Sequence, residues 1–165
     1  MDPLARLEAI EDIKQLKARY FRGLDTKQWD IFRSVFADDV VFDLTGTVRG
    51  SARDSAVYRG GDETVATVRA SVGRAVTVHL GVMPEITVLS ETEAEGIWKM
   101  EDVVTFPDGA PEDIESLRGV RRLHGYGHYE ERYRKIDGEW KIAHCALTRI
   151  TVELDREELP AATAG

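Results

Sequence analysis

An α+β fold, one curved sheet packed against helices, is predicted by three features of the sequence. Apolar residues recur at helical spacing over the first 24 positions, strand-like segments fill the second half, and an Asp-Gly turn joins the last two of them. Helices first and long antiparallel strands afterwards is an α+β order, and a strongly curved sheet under helices encloses a pocket.

The elements follow in turn. Leu4, Leu7, Ile10, Ile13, Leu16, Tyr20 and Leu24 mark a first helix, which Gly23 weakens. A second starts at Asp25 and carries Trp29, Phe32, Val35 and Phe36; Asp25 and Gln28 are spaced like a capping box. Residues 40–44 read as a strand and the polar, glycine-containing stretch 51–61 as a loop. Asp62 is placed to cap a short helix through Val65, Val68 and Val72, closed by Gly73. Strands are expected at 75–82 (continued at 86–89 past Pro84), 96–106, 120–136 and 140–152, with a long loop over 107–119. Asp137-Gly138 is the hairpin signal. One domain over residues 1–159 and a disordered tail over 160–165 complete the reading.

The 165 residues are 42% hydrophobic, which suits one core and leaves little for a second. A formal charge of -8 repels phosphate backbones, so nucleic acid is not an expected partner, and Arg118, Arg121 and Arg122 read as a solvated loop. Cys145 lies in an apolar run, reads as a small buried thiol, and has no cysteine partner for a disulfide or a zinc site. The charged N-terminus is unlike a signal peptide, and no apolar stretch has membrane-spanning length. A soluble, cytoplasmic protein is expected, with no membrane partner.

Five polar positions could carry chemistry. Asp102 is the one carboxylate on the face Trp98, Met100, Asp102, Val104, Phe106, and such a carboxylate needs a partner. Arg149, a cation among Leu147, Ile150 and Val152, is the candidate; a structural ion pair is the competing reading. His79 sits mid-strand among apolar residues, either a satisfied core histidine or a general base titrating near neutrality. Tyr20 continues the buried stripe of the first helix and Asp25 doubles as a helix cap, so each has a structural reading beside the chemical one. His124 and His128 lie four strand residues apart, about 13 Å, too far to share one metal ion, and no metal site is expected. No glycine-rich phosphate loop or nucleotide fingerprint is present.

Together these residues resemble a family. The spacing of Tyr20, Asp25, Trp29 and Asp30 is similar to the first helices of SnoaL-like proteins of the nuclear-transport-factor-2-like superfamily. It looks especially like the bile-acid 7-alpha-dehydratases. So do His79-Leu-Gly-Val-Met-Pro84, Ser90-Glu-Thr, Trp98, Glu101-Asp102, Phe106-Pro-Asp-Gly109 and, further on, Tyr133 to Trp140 and Arg149-Ile150. The likeness runs over most of residues 8–152; the Tyr133–Trp140 hairpin is general to the superfamily and says little about activity.

The resemblance implies a cone-shaped, curved antiparallel (mixed) sheet wrapped around the N-terminal helices. It implies Tyr20, Asp25, His79, Asp102 and Arg149 as the active-site set, no cofactor, and often a homotrimer. Scytalone dehydratases and hexachlorocyclohexane dehydrochlorinases are related and place a His–Asp pair at His79 and Asp25. The chain departs from them: Leu24 and Val104 replace a tyrosine and a histidine of the former, and Tyr20 a lysine of the latter.

The implied chemistry is loss of water from a hydroxy-carbonyl compound that is steroid-like, polycyclic or aromatic. His79 would take the carbon-bound proton and Asp25 hold its ring. Tyr20 would donate to developing charge, Asp102 and Arg149 would position, and Trp98, Met100, Val104 and Phe106 would form an apolar pocket. The alternatives are double-bond isomerisation of the ketosteroid-isomerase type, or a binding or assembly module of the same fold.

Overall fold

The computed structural model describes residues 1–47, 56–112, 114 and 117–157. Among these residues three α-helices, α1 (Pro3–Asp25), α2 (Trp29–Ser34) and α3 (Gly61–Val72), pack on one six-stranded sheet. Its strands are β1 (Phe36–Asp43), β2 (Val57–Arg59), β3 (Val76–Val88), β4 (Glu93–Thr105), β5 (Val120–Ile136) and β6 (Glu139–Arg156). The order across the sheet is β2-β1-β6-β5-β4-β3. β1 runs parallel to β6 and every other pair is antiparallel, so the sheet is mixed. The expected α+β class and curled sheet are what the chain forms, and no helix among the described residues is long and apolar enough to cross a membrane.

Local chemistry explains the elements. Asp2 caps α1 by accepting from the Leu4 N–H at 2.8 Å, with Pro3 in the first turn. The buried stripe of α1 is Ala9, Ile13, Leu16, Lys17, Tyr20 and Leu24; Leu4 and Leu7, expected on it, are exposed. Gly23 does not end the helix. A Cβ there would stand 2.7 Å from the Phe32 backbone nitrogen, so the glycine permits α1 and α2 to touch. Asp25 closes α1 and does not cap α2, whose N-cap is Gln28 with no side-chain bond.

Asp62 is likewise not a cap. α3 starts from Gly60, and Asp62 in its first turn bonds Arg33 at 2.6 Å. Within the stretch expected to be loop, Val57–Arg59 pairs with β1 as an edge strand; the loop residues 51–55 and the tail 160–165 lie outside the described residues. The two segments flanking Pro84 are one strand with a register shift between Val82 and Glu85, where Met83 takes φ 49°. Asp137 and Gly138 take φ 51° and 84°, the left-handed pair of a tight hairpin.

The main core packs Ile13, Leu16, Tyr20, Phe32, Phe36 and Val40 against Trp98, Met100, Tyr129, Trp140 and Ile142. A smaller cluster of Ala75, Val104, Phe106 and Val120 lies above it. Cys145 is buried and free, and burial pushes its thiol well above its ordinary range.

Candidate functional site

Between sheet and helices lies a cavity of about 240 Å³. Leu24, Phe42, Val68, Val72, Val104, Phe106 and Leu147 give it apolar walls; Tyr20, His79, Asp102, Tyr129 and Arg149 are its polar edge.

Helix and strand periodicities meet at His79. Phe21 and Asp25 are one turn apart on α1, about 6 Å along the axis, and Gly81 and His79 are two residues apart on β3, about 6.6 Å. A Cβ at Gly81 would stand 2.5 Å from the Phe21 ring, so the glycine admits that ring and brings Asp25 onto His79. The His79 Nδ1 and Asp25 Oδ1 are 2.6 Å apart, and the His79 backbone N–H donates to Asp25 Oδ2 at 2.9 Å. Thr77, two residues back on the same face, donates its hydroxyl to Asp25 Oδ1 at 2.9 Å and accepts from Lys27 Nζ at 2.8 Å.

Burial pushes the Asp25 carboxyl up, but the bonds from the His79 ring and backbone and from Thr77 outweigh it and hold the group below its ordinary value. An ionised carboxylate has no proton to give, so the short contact is carried by Nδ1–H. The lone pair is therefore on Nε2, which has no partner among the described residues, and the ring lines the cavity.

Asp102 stands opposite His79 as its Cα partner across β3 and β4. Its carboxylate takes both ends of the Arg149 guanidinium, at 2.5 and 2.6 Å, a buried bidentate pair. Arg149 is on β6, two strands away, and reaches over β5 because Gly125 puts no side chain in its path, while a Cβ at Gly127 would meet the Thr148 carbonyl of β6. Leu147 and Arg149, two residues apart in continuous register with β5, both face the cavity by strand alternation; the extra residue of β6 is Ile150, just beyond them.

Tyr20 is 2% exposed, with its ring edge-on to Phe32, Phe36 and Tyr129. Burial, reinforced by Tyr129 and Glu131, pushes its phenol well above the usual value, so it stays a neutral donor. Beneath it lies a buried network that the sequence reading did not anticipate. Lys17 Nζ donates to Glu131 Oε1 at 2.6 Å, Tyr133 to Glu131 Oε2 at 2.5 Å, and Trp98 Nε1 to the Tyr133 hydroxyl at 2.7 Å. The Lys17 ammonium also sits 4.0 Å from the Tyr20 ring centre and 3.7 Å from that of Tyr129.

Of the positions expected from sequence, Tyr20, His79, Asp102 and Arg149 share the cavity wall and Asp25 backs His79. Val104 and Phe106 line the cavity; Trp98 and Met100 do not, because the same strand face dives into the core, where Trp98 bonds Tyr133 and Met100 Sδ lies 3.8 Å from Arg149 Nη1. Tyr129, Thr77 and Lys27 were missed, as were Tyr58, Thr67 and Ser71 of the far wall. His124 bonds Glu101 at 2.8 Å on the outer face, away from the cavity. Among the described residues no group of three His, Cys, Asp or Glu is placed to hold a metal ion.

The probable cyclase FGR4 of Gibberella zeae is 25% identical over 146 residues, 87% of this chain and 92% of its own. Among solved structures, a scytalone dehydratase candidate from Novosphingobium aromaticivorans is similar with TM-score 0.74 and 19% identity, covering 98% of both chains. A type 2 hexachlorocyclohexane dehydrochlorinase gives TM-score 0.72 at 17% identity, over 97% of this chain and 99% of that one. At those identities the structures speak for the fold, whereas the sequence profile of the SnoaL-like domain matches residues 5–146 directly, and the chain belongs to that family.

Proposed function

We propose that this protein is a lyase that removes water from a neutral hydroxy-carbonyl molecule, with His79 as general base. The observation that carries the reading is the Nδ1–Asp25 bond at 2.6 Å, which leaves Nε2 as the proton acceptor on the cavity wall. His79 removes the proton next to the carbonyl, and the carbonyl oxygen takes up the charge as an enolate. Asp25 stabilises the imidazolium that forms. Tyr20, kept neutral by burial, donates to the enolate oxygen or to the departing hydroxyl. Collapse of the enolate expels the hydroxyl as water, using the proton that His79 carries.

The cavity suggests the substrate class. Asp102 neutralises Arg149, so the wall offers no unpaired cation for a phosphate or carboxylate among the described residues. Its size is near the lower end for ligand sites, which favours a compact aromatic or fused-ring hydroxy-ketone over a long-chain one. The hydroxyls of Tyr58 and Thr67 on the far wall suit a second polar group on such a molecule. The relatives named as dehydratase, dehydrochlorinase and cyclase support small-molecule conversion in general terms.

The test is a panel of aromatic and steroidal hydroxy-ketones, followed by the absorbance of the conjugated product. Turnover by the wild type and a loss of roughly 10²–10⁴-fold in His79→Ala, with the fold intact, is the expected result. Equal rates in the two proteins would remove His79 from the chemistry.

A further inference from the structure

We propose that Lys27 and Thr77 are positioning residues that set the basicity of His79 through Asp25; their importance for catalysis rests on the reading of His79 as the base. A lysine ammonium has three donors and no acceptor. With Lys27 Nζ 2.8 Å from Thr77 Oγ1, the Thr77 proton is forced toward its other neighbour, Asp25 Oδ1, at 2.9 Å. Lys27 thus fixes the direction of the Thr77 hydroxyl, and Thr77 and the His79 Nδ1–H both donate to the one oxygen, Asp25 Oδ1. Asp25 Oδ2 is occupied separately by the His79 backbone N–H.

The backbone is bent to make this arrangement. Lys27 takes φ 59°, a left-handed conformation rare for a residue with a side chain, in the turn between α1 and α2. Gln28 N–H bonds the Gly23 carbonyl at 2.9 Å and Lys27 N–H that of Leu24 at 3.3 Å, which holds the turn. The Lys27 side chain is thereby returned to β3. Thr77 is buried, so its hydroxyl has no bulk water to substitute for Lys27. Burial also lowers Lys27 from its ordinary value, against the pull of Asp25.

The charged and titratable groups around His79 are few. Asp25 faces it from α1 and Lys27 from the turn; Asp102 faces it from β4, neutralised by Arg149 of β6; Tyr20 and Tyr129 share the cavity wall. Lys27 is the one cation in this set not already paired with a carboxylate at bonding distance. Its charge, relayed through Thr77, draws electron density from Asp25 and weakens the hold of Asp25 on a protonated ring. Removing the cation or the hydroxyl therefore strengthens that hold, and His79 keeps its proton to higher pH.

The experiment is a pH titration of the ¹⁵N-histidine spectrum of the whole protein, with His79→Asn assigning the signal. The His79 midpoint should rise by about 0.5–1 pH unit in Lys27→Met and in Thr77→Val, and stay within error in Lys27→Arg and Thr77→Ser. Unchanged midpoints in Lys27→Met and Thr77→Val overturn the proposal, whatever happens to their melting temperatures. Should Thr77→Val not fold, the half-buried Lys27→Met decides alone. The readout needs no substrate, so it stands apart from the His79→Ala rates that test the lyase reading.

Discussion

Gly125 leaves the space that the Arg149 guanidinium fills. A Cβ at residue 125 would fall on Arg149 Nη1 and 2.5 Å from Asp102 Oδ1. Gly125→Ala should thus push apart a buried ion pair with one methyl group. A loss of about 1–3 kcal/mol in urea denaturation is expected, together with reduced turnover. Stability equal to the wild type would mean that β5 can yield there.

The Lys17–Glu131 pair is buried on both sides, at 1% and 0% side-chain exposure. Lys17→Met strands a buried carboxylate and should cost about 3–5 kcal/mol. Adding Glu131→Gln should recover much of that loss, because no charge is left to desolvate. A double-mutant cycle by chemical denaturation measures the coupling, and additive losses would contradict it.

Tyr20→Phe keeps the ring and its edge-on contacts while deleting the hydroxyl. The melting temperature should move little and kcat should fall by roughly tenfold or more. A variant that loses stability but retains kcat would confine Tyr20 to packing.

Asp25 is held below its unfolded value, so the folded protein binds fewer protons at this group. Its contribution is fully present above the unfolded pKa of about 3.9 and is lost as pH falls through the lower folded value. In Asp25→Asn the acid side of the stability profile should be flatter than in the wild type. Parallel profiles between pH 5 and pH 2, read as denaturation midpoints, would contradict the assignment.

Much of the sheet could be read from alternation, and β5 agrees to the residue because turns bound it on both sides, Gly119 at φ 68° and Asp137-Gly138 at φ 51° and 84°. Edge strand β2 could not, since three residues among polar neighbours carry no period. The Asp102–Arg149 pair was readable as two misplaced charges on apolar faces. Lys17 and Glu131 gave the same signal unnoticed: Lys17 falls on the stripe of Ile13, Leu16, Tyr20 and Leu24, and Glu131 alternates inward between Tyr129 and Tyr133. Thr77 shares parity with His79 and was open to the same argument. Lys27 was not, because its placement depends on a left-handed turn at a residue type that gives no hint of one.

The parallel pairing of β1 with β6 has a consequence for synthesis. Phe36 and Phe42 meet Ile142 and Cys145, so the strand made early waits for the strand made last. Such distant contacts slow folding, since the loop must close before the pairing repays it. On the ribosome α1, α2 and β1 emerge with an apolar face and an unpaired edge, and only the final hairpin covers them. A chain stopped at Gly138 would lack Arg149, leave Asp102 without its partner and leave unpaired the edges of β1 and β5 that β6 covers, so truncation there should yield aggregate rather than a smaller folded protein.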